Sequence, residues 1–147
     1  MSLTPRQKYR LWLIIAFLVL SYAASKYDPE SNSHSLKHTA SFQQLFEQQQ
    51  SNIQLEVDAT VVKLLADDNS GRRHQRFIIQ LDSGHTLLVA HNIDLAPRID
   101  DLKVGDKVSV FGEYEWNEKG GVLHWTHHDP AKKHITGWIR HQGNQYQ

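Results

Sequence analysis

Hydrophobic and polar positions change period along this chain, and each change marks a different element. Residues 11–24 (LWLIIAFLVLSYAA) are an apolar run placed directly after Arg6, Lys8 and Arg10. A helix buried in a soluble core carries a polar face, and this run has none. A basic start, an apolar stretch and a small-residue exit at Ser21-Tyr22-Ala23 or Ala23-Ala24-Ser25 match a secretory signal instead. The run is shorter than the about 20 residues of a spanning helix, yet Tyr9 and Trp12 supply interfacial anchors. Residues 1–25 are therefore read as a signal peptide or, if uncleaved, a membrane anchor. Basic residues stay cytoplasmic, so the remainder is expected in the periplasm, or held at the inner membrane with the domain outside the cytoplasm.

Residues 26–40 are polar, with Ser31, Asn32, Ser33 and Ser35 near Pro29, and read as a linker. Ser41 is a plausible cap for a short amphipathic helix over 42–50, with Phe42, Leu45 and Phe46 on one face and glutamines on the other. The period then drops to two. Leu55, Val57, Ala59 and Val61 alternate with Glu56, Asp58 and Thr60, which is strand patterning. Two further strands, 74–81 and 85–90, are joined by Asp82-Ser83-Gly84, a hairpin connection. Pro97 breaks the pattern between 92 and 102, where Asp94 could cap a short helix. Strand signals resume over 107–116, turn at Asn117 to Gly120 and return over 122–128.

Five strands with an irregular or short helical insert after the third give the order of an OB-fold. The fold expected is mainly β: a five-stranded OB-like Greek-key barrel over 41–147, preceded by an N-terminal hydrophobic helix and the short amphipathic one.

Composition adds three constraints. The chain has no cysteine, so disulfides, thiolate catalysis and cysteine-ligated zinc are excluded. The 16 basic and 16 acidic residues balance overall, but setting aside the three basic residues before the apolar run leaves the rest mildly acidic. That disfavours a general polyanion binder, so nucleic acid is a possible partner but not the favoured one. The ten histidines are the anomaly, because imidazole both ligates metals and titrates near neutral pH.

Candidate chemistry gathers on the last hairpin. Alternation puts Val122, His124, Thr126 and His128 on one face of the returning strand. A turn centred on Glu118 and Lys119 sets Glu113 opposite His124, and a shift to Gly120 sets Glu115 there instead. Either register pairs a carboxylate with an imidazole. His124, His128 and Glu113 are thus candidate ligands for a divalent transition metal such as zinc, and Glu113 and His124 are the candidate catalytic pair. Solvated or structural histidines are the competing reading. A second group, Arg72, Arg73, His74 and Arg76, precedes or enters the second strand, where OB-folds commonly border a ligand groove. His91, Asp94 and Arg98 follow the third strand, and Trp116, Trp125 and Trp138 offer stacking surfaces. The ligand-binding set expected is His74, Arg76, His91, Asp94, Arg98, Glu113, Glu115, Trp125, His127 and Trp138. Solvated arginines and core tryptophans compete with that reading.

The strings His74-Gln75-Arg76-Phe77, His91-Asn92-Ile93-Asp94-Leu95-Ala96-Pro97-Arg98, Gly112-Glu113-Tyr114-Glu115-Trp116-Asn117 and His124-Trp125-Thr126-His127-His128-Asp129-Pro130 together resemble a family of small exported bacterial proteins of unknown function, the DUF3465 family. The resemblance covers about residues 50–147 and supplies no activity; it implies that the four strings belong to one unit. The function expected is an extracytoplasmic OB-like module that binds a polar ligand: an oligonucleotide, a saccharide or an anionic small molecule. A metal-dependent hydrolase of the phosphodiesterase kind and a structural or protein-interaction module of the envelope are the alternatives. An uncleaved N-terminal segment would add the membrane as a partner.

Overall fold

A computed structural model of the chain describes residues 42–147. The apolar run, the polar linker and the cap at Ser41 lie outside the described residues. Within them the chain is mainly β, with one short helix at 42–47 and seven strands: β1 (Ile53–Leu64), β2 (His74–Gln80), β3 (Thr86–Asn92), β4 (Lys107–Glu115), β5 (Val122–His124), β6 (Trp138–His141) and β7 (Asn144–Tyr146). The first five close into a barrel in the order β1-β2-β3-β5-β4, because β4 also pairs with β1. Only the β3–β5 contact is parallel. This is the five-stranded OB-like arrangement expected from the strand pattern.

Closure depends on two strands that change partners. β1 pairs with β4 over Ile53–Thr60 and with β2 over Thr60–Leu64, and its register to β2 slips between Val61 and Lys63. An extra residue there bends the strand around the barrel corner. β4 gives one edge to β1 and divides the other: Val108–Phe111 pair with β6, and Glu113–Glu115 with β5. Gly112 stands at the division. A methyl group there would run into the backbone carbonyl of His124 and the Thr126 side chain, and one at Gly137 would run into the carbonyls of Trp125 and Phe111. Three backbone segments therefore cross at a spacing that only glycine permits.

Inward positions follow the alternation. Leu55, Val57, Ala59 and Val61 from β1, Phe77 and Ile79 from β2, Leu87 and Val89 from β3, and Val108, Val110 and Tyr114 from β4 fill the barrel with Leu123 and Ile139. The helix closes one end. Phe42 is buried against Tyr114 and His85, and Phe46 packs on His85 and Trp116. Trp116 is thus part of the helix seat and not an open stacking platform. His85 Nε2 also lies 2.9 Å from the Gly120 carbonyl, which ties the helix seat to the β4–β5 turn.

Three differences from the sequence expectation concern the elements. The returning strand ends at His124 and does not reach His128, because Trp125 adopts a φ of 52° and leaves the pleat. The segment after β3 contains no helix, so Asp94 is not a helix cap. Its backbone is satisfied in another way. The buried Gln75 amide donates to the Ile99 carbonyl at 2.9 Å and accepts from the Ile99 N–H at 2.9 Å, doing for this loop what a strand neighbour would do. The C-terminal hairpin β6–β7 also lay outside the expected elements. Gln142 and Gly143 both have positive φ, the two-residue turn that suits a twisted hairpin.

Gly137→Ala should destabilise the domain by more than about 2 kcal/mol, since backbone carbonyls cannot move aside as a side chain would. Gly71→Ala, where the added methyl meets no atom, should cost only the strain of its left-handed backbone, about 1 kcal/mol. Urea denaturation of the two variants against the parent distinguishes them.

Candidate functional site

Between β5 and β6 the chain must leave the barrel and return to nearly the same point, which extrudes residues 125–137 as a loop. Asp129 organises it. Its carboxylate accepts the backbone N–H groups of Ala131 (2.9 Å), Lys133 (2.7 Å) and His134 (3.0 Å). Burial opposes the charge on Asp129, but these three donors outweigh it and hold the carboxyl below its ordinary pKa. The loop returns His134 to stack on Trp125, with ring centroids 3.7 Å apart and planes within 14°.

His91 ties the base of this loop to the barrel. It is fully buried, with Nδ1 2.8 Å from the Thr126 hydroxyl and Nε2 3.1 Å from the Pro97 carbonyl. A carbonyl only accepts, so Nε2 carries the proton and Nδ1 accepts from Thr126. Both nitrogens of a neutral imidazole are satisfied. Burial pushes the His91 pKa down to about 4 despite the hydrogen bond to Pro97. His127 is also buried, its Nδ1 donating to the His128 carbonyl at 2.8 Å and its ring 5.4 Å from that of Trp125. Both histidines support the loop from below.

On the outer face, Glu113 and His124 are cross-strand partners, the first of the two registers open from the sequence. His124 Nε2 lies 3.7 Å from Glu113 Oε1, and His134 Nδ1 lies 3.5 Å from Glu113 Oε2. Glu115, two residues along the same face, brings a carboxylate oxygen into the same cluster. One ligand atom from each of Glu113, Glu115 and His124 lies within 4.8 Å of the others. Burial lowers the His124 pKa, and it does so against the opposing pull of Glu113 and Glu115. His128 stands apart from this group. It is exposed, with Nδ1 3.3 Å from the Thr136 hydroxyl, because the pleat that would have aligned it with His124 ends at Trp125. The carboxylate that groups with His124 and Glu113 is that of Glu115.

The arginines expected to reach a ligand are mostly engaged in holding loops together. Arg76 donates from Nε and Nη2 to the Ala66 carbonyl at 3.1 and 3.0 Å, and its Nη1 lies 3.9 Å from Asp68. Arg98 bridges Asp67 and Asp100, each at 3.0 Å, and this pairing raises its pKa. Asp94 accepts the backbone N–H of Arg73 at 2.8 Å and its Nε at 2.7 Å, and these bonds hold its pKa low. His74 turns Nδ1 to the Arg72 carbonyl at 2.8 Å. Trp138 lies between the Phe111 ring, 5.7 Å away, and the Arg140 guanidinium, 3.9 Å over its face. It continues the outer face of β4 away from His124.

A groove remains between the β1–β2 loop, the segment after β3 and the extruded loop, lined among others by Arg72, Asp94, Leu95, Trp125, Lys133 and His134. Arg72, Lys133 and His134 were outside the expected binding set. Arg72 belonged to the arginine group noted before the second strand; for Lys133 and His134 the signal was slight, since Asp129-Pro130 marks a turn that Asp129 can cap and a capped turn returns the chain toward its start.

The family model described as Protein of unknown function (DUF3465) matches residues 27–147, and the chain belongs to that family. No curated protein matches the chain.

A histidine kept neutral in the fold makes stability depend on pH. Below about 6.5 the unfolded chain binds a proton at His91 that the folded one refuses until about pH 4, so stability is present at neutral pH and lost as pH falls through that window. The His91 contribution should cost about 2 kcal/mol between pH 7 and pH 5. Urea midpoints at the two pH values test this, and His91→Gln should show a smaller difference than the parent.

Proposed function

We propose that this member of the DUF3465 family is an extracytoplasmic module that binds an anionic polar ligand in the groove beside Trp125 and His134. The observation that carries the reading is a charge imbalance inside the groove. Its carboxylates are used internally, Asp94 by Arg73 and Asp129 by three backbone N–H groups. Its cations are not: the charged ends of Arg72 and Lys133 have no carboxylate partner among the described residues, although both line the groove. A guanidinium beside a lysine and an aromatic ring suits a phosphate or carboxylate on a body that packs against the ring. Both cations are exposed and free to turn toward a ligand, with the half-buried Trp125 and His134 rings beside them. The basic residues ahead of the apolar run support placement outside the cytoplasm, in the periplasm or at the outer face of the inner membrane.

Calorimetric titration at low ionic strength with a short oligothymidylate and with an oligogalacturonate tests the groove. At least one anion should bind, more weakly as salt is added, while neutral maltohexaose should not. Arg72→Ala with Lys133→Ala should weaken binding roughly tenfold or more. Failure of both anions to bind at low salt would remove the reading. Export is tested separately by fusing alkaline phosphatase to the C-terminus of the full chain in a bacterium. An active fusion is expected, and an inactive one places the domain in the cytoplasm.

A further inference from the structure

We propose that Glu113, Glu115 and His124 form a site for one divalent transition-metal ion on the outer face of the β4–β5 hairpin, next to the anion groove and sharing the His134 ring with it. Metal ligands at about 2.0 to 2.2 Å from an ion lie roughly 3 to 3.5 Å from one another. The three candidate atoms already fall within 4.8 Å, so side-chain torsions alone can close the set. The backbone beneath is paired, Glu113 with His124 and Glu115 with Val122, and Glu113 also sits opposite Gln54 of β1. Ligands on a paired hairpin are held in position without ordering a loop, which lowers the entropic cost of binding.

The polar atoms around the set lack partners that a cation or its bound water would supply. His124 Nε2 is shielded from solvent and has no hydrogen-bond partner, and Gln54 Nε2 is shielded and unpartnered on the opposite flank. Buried polar atoms are rarely left in that condition. Two carboxylates stand side by side with no lysine or arginine paired to them among the described residues; their near neighbours are the imidazoles of His124 and His134. An ion of charge +2 removes their mutual repulsion. Mixed oxygen and nitrogen donors suit zinc, manganese or ferrous iron better than calcium or magnesium. His134 Nδ1, 3.5 Å from the second oxygen of Glu113, is placed either to orient that carboxylate or to add a fourth donor.

The test is calorimetric titration of the chelator-treated full chain with zinc chloride, repeated with cobalt(II) to read its visible absorption. One ion per chain is expected, with a cobalt band that shifts when His124 is removed. Glu113→Gln with Glu115→Gln, and His124→Ala alone, should each weaken binding about a hundredfold or more. His128→Ala should leave it unchanged. Zinc should raise the thermal midpoint of the parent and not of the glutamine variant, which keeps the side-chain shapes and so the fold. Absence of saturable binding, equal binding by the parent and His124→Ala, or loss of binding on His128→Ala would each overturn the site. Loss of anion binding with zinc binding retained would remove only the groove.

Discussion

β4 has two hydrogen-bonding edges and three neighbours, and the outer face of the barrel follows from how it divides them. One edge is committed to β1, which closes the barrel. The other must serve β5 and then β6, so the intervening chain has to leave and re-enter beside Gly112. Close backbone crossings at Gly112 and Gly137 bring the ends of the excursion together. Everything between them is forced outward as a loop, and that loop carries Trp125, Asp129 and His134. A barrel whose fifth strand simply ran on would present His124 and His128 in a flat row and leave no groove wall.

An extruded loop and an irregular segment after β3 create many backbone groups without strand partners. The structure satisfies them with buried polar side chains: Gln75 serves Ile99, His91 joins Pro97 to Thr126, and Asp129 gathers three N–H groups. These side chains are tied up in support, as are Arg73, Arg76 and Arg98 on the surface. Around the extruded loop, among the described residues, Arg72 and Lys133 have no carboxylate partner, and Glu113 and Glu115 have no lysine or arginine partner. The cost of this economy is pH sensitivity, since a neutral buried imidazole is part of the support.

Much of the barrel was legible because a strand buried on one face must alternate, and alternation is visible over as few as four residues. β1, β2 and β3 and the turns at Asp82-Ser83-Gly84 and Asn117 to Gly120 are of this kind. The Glu113 and His124 pairing was legible to within one register, since the turn's position decides it and centres at Glu118-Lys119 and at Gly120 were both open. His128 was misplaced for a physical reason: alternation predicts faces only while the pleat continues, and nothing local in His124-Trp125-Thr126 announces a left-handed tryptophan. The β6–β7 hairpin was missed because four- and three-residue strands carry too few positions to show a period.

The sequence by itself determined the order of the five barrel strands, much of their inward-facing set, the absence of thiol chemistry and the gathering of histidines, carboxylates and tryptophans on the last third of the chain. These properties are local, and each rests on periodicity, composition or spacing. Tertiary structure alone decided which polar side chains are consumed and which are free. Whether Arg73 meets Asp94, or Glu115 rather than His128 joins His124, depends on where separate loops and strands come to lie against one another. No local pattern encodes those distances, because they arise when the barrel closes and β4 divides its edge.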